Sequence, residues 1–90
     1  MTKASKDISK ERKKQDRVWG EQNHDPFVWL AILQEEVGEF SQEALRMTFD
    51  CNIGDTPLKC KARMREEAVH VAAVAMAIVE CLDRKKWVGK

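Results

Sequence analysis

The sequence predicts an all-α fold, a helical bundle of three principal helices per protomer assembled as a homo-oligomer. Three observations carry that reading. Four Gly and two Pro in ninety residues leave little room for the many turns of an all-β domain. Apolar residues recur at three- and four-residue steps along most of the chain. The run "AVHVAAVAMAIV" (68–79) is apolar on every side apart from His70, so it needs cover on every side. Two further helices from so short a chain can hardly supply that cover, and further copies of the chain in a homo-oligomer would. Ninety residues make one domain, 1–90, near the size at which a single core is only marginally stabilising.

A first helix is expected at about 6–20, where Ile8, Glu11, Gln15, Val18 and Trp19 give a weak helical pattern among long charged side chains. Residues 1–17 hold seven basic side chains (Lys3, Lys6, Lys10, Arg12, Lys13, Lys14, Arg17) against three acidic ones (Asp7, Glu11, Asp16). "GEQNH" interrupts the pattern. Asp25-Pro26 then starts a second helix, about 26–48, with Asp as N-cap and Pro at the first position, where its missing N–H costs nothing. Leu30, Leu33, Val37, Phe40, Ala44 and Met47 mark its apolar stripe. "DCNIGDTP" (50–57) reads as a loop, and a third helix is expected at about 58–85.

Composition narrows the function classes. Hydrophobic residues at 43% and charged residues at 34% describe a folded, charge-rich helical protein. A formal net charge of +1 gives no global field for nucleic acid or an anionic membrane. Cys51, Cys60 and Cys81 are odd in number with no CxxC pair, which predicts reduced thiols and a cytoplasmic protein. A zinc site would need closer ligand spacing. The N-terminus lacks an apolar signal segment, and the longest apolar run is too short to span a bilayer, so no membrane partner is expected.

The acidic stretch "QEEVGEF" (34–40) carries the chemistry. At about 100° per residue from Leu33, Val37, Phe40, Ala44 and Met47 fall within about 40° of it. Glu36, Glu43 and Glu39 fall at about 300°, 280° and 240°, on one flank of the stripe, while Glu35 points away. Three partly desolvated carboxylates repel one another, and a cation would relieve them. Glu67 and His70 share a face of the third helix. A Glu-x-x-Glu pair facing a Glu-x-x-His pair across two antiparallel helices would suit Mg²⁺ or Mn²⁺. The plain alternative is a solvated acidic edge.

The order Glu35-Glu36-Val-Gly-Glu39, 27 residues (40–66), then Glu67-Ala-Val-His70 resembles the signature Glu-Glu-x-x-Glu … Glu-x-x-Asp. That is the signature of the MazG-like, all-α nucleoside triphosphate pyrophosphohydrolases. "ERKKQDRVWGEQNH" is similar to the N-terminal helix of small phage and prophage members. The resemblance covers most of residues 8–84. It implies hydrolysis of a (d)NTP to monophosphate and pyrophosphate, with Mg²⁺ (or Mn²⁺) as cofactor, and assembly as a homodimer or homotetramer. It also implies Glu36, Glu39 and Glu67 as metal ligands and Glu35 as the residue that orients or activates water. His70 stands where the family has Asp. Neutral imidazole is a poorer ligand for Mg²⁺ than for Mn²⁺. A branch with this change would work slowly or bind nucleotide without cleaving it. Equally, His70 would be a half-buried histidine bonded to a neighbouring carboxylate.

Around these residues, Trp19 would stack a base while Gln22 or Asn23 reads its edge, with His24 beside them. The alternative makes Trp19 core and "EQNH" a capping turn. Lys59 and Arg63 are the candidates for reaching a triphosphate, though most cations of 59–65 would be surface charges. A second class of function, nucleic-acid binding through the basic first helix, has no aromatic interleaving or helix-turn-helix pattern to support it.

Overall fold

The computed structural model describes residues 1–50 and 56–84, and all regular structure in them is helical. Helix α1 spans Lys3–Trp19, α2 Pro26–Leu45, and α3 Pro57–Asp83, with a π-helical turn at Arg46–Asp50 after α2. The elements are those the periodicity predicts. The loop expected at 50–57 lies largely outside the described residues.

Capping chemistry places the boundaries. α1 starts at Lys3, three residues before the expected residue 6, because the Thr2 hydroxyl accepts the Ser5 N–H at 3.0 Å. It ends at Gly20, whose φ of 73° favours glycine and lets its N–H reach the Asp16 carbonyl at 2.9 Å. Asp25 caps α2 through the Val28 N–H at 3.0 Å, with Pro26 following as expected. Thr56 does the same for α3 through the Lys59 N–H at 3.2 Å. α2 stops short of residue 48 as an α-helix. There the Thr48 hydroxyl donates to the Ala44 carbonyl at 2.9 Å and the turn widens.

α3 is the inner helix of the protomer. α2 packs along one side and α1 along another, and α1 and α2 make no close backbone approach among the described residues. The result is a cleft with α1 and α2 as walls and α3 as floor. Buried side chains come from α3 (Cys60, Ala73, Val74, Ala77, Cys81) and from α2 (Trp29), with none from α1. α1 is instead held by ion pairs. The Arg12 guanidinium donates to Glu80 of α3 as well as to Gln15 (2.9 Å) and Asp16 (3.0 Å) on its own helix. Arg65 meets Asp7 at 2.9 Å. Arg84 donates to the Gln22 carbonyl at 2.8 Å and to Asn23 Oδ1 at 3.0 Å, fixing the linker between α1 and α2.

Two expectations need correction. The inner stripe of α2 is not centred on Leu33 and Val37. It runs through Trp29, Ile32, Leu33, Glu36, Phe40, Glu43 and Ala44, while Val37 and Met47 are exposed. That is a rotation of about 40°. The cause is Trp29, the largest apolar side chain of the helix, which packs against Ala77 and Cys81. As expected of so short a chain, α3 is not covered on every side within the protomer, since Val79 and Leu82 remain 57% and 54% exposed. The second correction concerns the thiols. Cys81 is free and buried, but Cys60 is disulfide-bonded, which a uniformly reduced cytoplasmic chain did not anticipate. No helix of the described residues is long and apolar enough to cross a membrane.

Candidate metal and nucleotide site

The rotation of α2 brings Glu36 inward, and the cluster forms around it. Glu36 and Glu39 stand one turn apart on α2, as Glu67 and His70 do on α3. Their nearest ligand atoms all lie within 4.8 Å of one another. His70 Nδ1 is 3.3 Å from Glu67 Oε2 and 4.0 Å from Glu36 Oε2. On the other edge of the ring, Nε2 is 3.8 Å from Glu11 Oε1, so α1 adds a fourth carboxylate. Glu36, Glu67 and His70 are mostly buried and Glu39 is exposed.

Electrostatics make this an uneasy arrangement. Burial, then repulsion from Glu39, pushes the Glu36 carboxyl above its ordinary range, despite attraction to His70. Burial likewise raises Glu67, again against the pull of His70 and with Glu39 adding to it. Glu36 Oε2 is buried with no hydrogen-bond partner. A histidine serving only structure would make the same 3.3 Å contact to Glu67, so that contact does not discriminate. The orphaned Glu36 oxygen is the feature that a cation would answer. A buried carboxylate oxygen without a donor is costly, and a divalent cation is the partner that suits this oxygen-rich set with one nitrogen. The residues fit such an ion.

A pH dependence follows from the two raised carboxyls. Both bind protons more readily folded than unfolded, so their protonated forms favour the fold. That contribution is complete below the ordinary value of 4.5 and is lost as pH rises through the folded values. In EDTA, the melting temperature is therefore expected to fall as pH rises above the ordinary carboxyl value of 4.5, on account of this pair. Glu36→Gln with Glu67→Gln should flatten the fall, as followed by circular dichroism melts. An unchanged slope in that double variant would show that the carboxylates are not coupled to folding.

The cluster opens into the cleft. A 330 Å³ space there is lined by Glu11, Lys14, Gln15, Trp19, Glu36, Glu39 and His70, among others. Gln15, Trp19 and Glu36 also line a neighbouring 500 Å³ cavity that runs down to Trp29, Ile32, Val74 and Ala77. Trp29 is 4% exposed, and its Nε1–H has no acceptor. The His24 ring meets Trp29 edge-on, with centroids 4.8 Å apart, and its Nε2 lies 3.3 Å from Gln22 Oε1. An apolar cavity with a buried donor, an imidazole and an amide is suited to a flat heteroaromatic ring.

Against the sequence expectations, Glu36, Glu39, Glu67 and His70 come together. Trp19 and Gln22 line the aromatic cavity, and Glu35 stands on its wall rather than in the cluster. Asn23 is occupied elsewhere, donating to Glu21 at 2.9 Å and accepting from Arg84. Arg63 lies 3.5 Å from Glu43, which also binds Arg46 at 2.8 Å. Lys59 is exposed in the first turn of α3, about 16 Å along the axis from His70. Neither cation lines a cavity that meets the cluster. Glu11, Lys14 and Gln15 are the residues that sequence reasoning did not place at the site, while Trp29 belongs to the buried core as well as to the cavity. Only the i, i+4, i+7 recurrence of Lys10, Lys14 and Arg17 signalled that α1 has a distinct charged face.

Compared with models of known protein families, with curated proteins and with solved structures, the chain has no match. The likeness to the MazG-like family therefore rests on motif order and spacing alone, and the site on its own geometry.

Proposed function

We propose that the protein is a divalent-metal-dependent nucleoside triphosphate pyrophosphohydrolase. The observation that carries the reading is the meeting of Glu36, Glu39, Glu67 and His70 around an orphaned carboxylate oxygen, at the mouth of a cavity with a buried, unpartnered indole N–H. The base would enter beside Trp29 and His24, with the exposed Trp19 ring available to stack on it. Its α-phosphate would then lie at the carboxylates. Water attacks the α-phosphorus, the bond to the bridging oxygen breaks, and monophosphate and pyrophosphate leave. Mg²⁺ or Mn²⁺ held by Glu36, Glu39, Glu67 and His70 would activate the water and neutralise phosphate charge. Glu36 and Glu39 project from one helix and Glu67 and His70 from another, so the α2–α3 contact sets the ligand geometry. Glu35, which lines the cavity wall, would orient the water or accept its proton.

A screen of common NTPs and dNTPs with a pyrophosphate readout tests the reaction. Release dependent on Mn²⁺ or Mg²⁺ supports it. His70 favours a second reading, a slow or silent nucleotide binder, because imidazole is a weak ligand for Mg²⁺. His70→Asp should therefore raise activity with Mg²⁺ relative to Mn²⁺. Silence of the folded wild type and of His70→Asp across the screen would leave the binding reading in place of the enzyme. Self-association belongs to the proposal as well. The outer stripe of α2, with Phe27, Leu30 and Leu45, and the Val79–Leu82 side of α3 are exposed apolar surface that a second copy would cover.

A further inference from the structure

A second groove, of 400 Å³, runs between α1 and α3. It meets the carboxylate cleft at Glu11, Lys14 and His70, and shares no lining residue with the indole cavity. Lys10, Lys14 and Arg17 line it from α1. Their spacing of four and three residues keeps them within about 60° on one face of the helix. None of the three is in an ion pair among the described residues. Their neighbours differ in this respect, since Arg12 is tied to Glu80 and Asp16, and Arg65 to Asp7. Of the acidic groups on the groove wall, Asp7 is neutralised by Arg65 and Glu11 is turned to His70, which leaves Glu66.

Exposed lysines on a helix are ordinarily solvated charges, and a row of three would carry nothing alone. The position of this row is what matters. The cleft is a trough in three parts, with an aromatic cavity at one end, carboxylates in the middle and unpaired cations at the other. Lys14 lines both the middle part and the cationic part. We infer that the groove is a polyphosphate subsite, in which Lys14, Lys10 and Arg17 hold the β- and γ-phosphates of a nucleoside triphosphate. This deepens the proposed function and rests on its placing of the α-phosphate at Glu36, Glu39 and Glu67. Lys14, at the junction, stands nearest the scissile bond, while Lys10 and Arg17 extend the row. Lysines supply point charges, and the guanidinium can bind two phosphate oxygens at once. The cations expected at Lys59 and Arg63 are replaced by a set on a different helix.

The test uses inorganic tripolyphosphate, titrated into the intact protein in EDTA and followed by calorimetry and by backbone amide shifts. Binding is expected, with shifts concentrated on residues 10–17 and 62–70. Lys14→Ala and Arg17→Ala should each weaken it about tenfold. Lys13→Ala makes the same charge change outside the groove and should leave it unaltered. Mn²⁺ binding, read separately by electron paramagnetic resonance, should be unchanged in all three variants. If Mn²⁺ binds normally but tripolyphosphate does not bind, or binds the Lys14 and Arg17 variants as well as wild type, the subsite is refuted and the metal site survives. If tripolyphosphate binds as expected and Mn²⁺ does not bind, the metal site falls and the subsite stands. Preferential binding of a single-stranded oligonucleotide, displacing tripolyphosphate with a steep salt dependence, would overturn the inference in favour of a nucleic-acid face.

Discussion

Glu36→Gln is expected to lower divalent-dependent pyrophosphate release and Mn²⁺ affinity by at least about a hundredfold while raising the melting temperature in EDTA. The two effects have one cause. Glu36 is the carboxylate whose buried Oε2 lacks a donor and whose ionised form is disfavoured by burial and by Glu39. The amide keeps the shape and removes the charge, so the apo fold loses a repulsion and the metal loses a ligand. Glu43→Gln is the matched comparison. Glu43 lies on the same inner stripe of α2, but its charge is met by Arg46 at 2.8 Å and by Arg63 at 3.5 Å. Removing it should cost stability and leave Mn²⁺ affinity alone. Melting curves of both variants and the wild type, with and without Mg²⁺ and Mn²⁺, separate the cases. If neither ion moves the wild-type melting temperature and Glu36→Gln behaves like Glu43→Gln, the carboxylates are an acidic edge and the metal reading is lost.

That contrast also marks how far the sequence could be read. Helix type and start were legible because they are local. Asp25-Pro26 announces its helix through capping and a fixed proline φ, with no reference to distant parts of the chain. Thr56-Pro57 does the same for α3, although both residues fall in the stretch 50–57 that reads as a loop. The pairing of Glu36 and Glu39 with Glu67 and His70 was legible for a similar reason, since two i, i+3 pairs on neighbouring helices have few other ways to meet. Which face of α2 turned inward was not. The stripe through Leu33 and Val37 and the stripe through Trp29 and Glu36 differ by about 40°, less than periodicity resolves. Tertiary packing of one indole against Ala77 and Cys81 decided between them. That choice carries Glu36 from the flank to the inner stripe, Glu43 into its arginine pairs, and Val37 out to solvent. The roles of α1 were equally hidden. Glu11 and Lys14 look like any solvated charges until Arg12, anchored on Glu80, sets the roll of that helix over the cleft.

Val79→Lys is expected to be monomeric at micromolar concentration, where the proposed self-association would make the wild type an oligomer. Val79 is 57% exposed on the inner helix of the protomer, with Leu82 at 54% and Met76 at 41% on the same stretch. Apolar surface on the one helix that α1 and α2 both pack against is what an association face would present, and a stable interface needs about 800 Å² from each partner. An ammonium placed there would be desolvated in the assembly but remain in water in the monomer. In the monomer it can also pair with Asp83 one turn on, so the helix itself should not suffer. The introduced charge is therefore expected to weaken association by at least about a hundredfold, through several kcal/mol of uncompensated burial in each copy. Leu30→Lys asks whether the outer stripe of α2 belongs to the same interface. Sedimentation equilibrium gives the answer against a protomer mass of 10.4 kDa. Wild type should sediment at twice that mass or more, and Val79→Lys at the protomer mass with its helix content retained. A monomeric wild type at the same concentration would sink the assembly and leave the apolar run of α3 without the partner its sequence calls for.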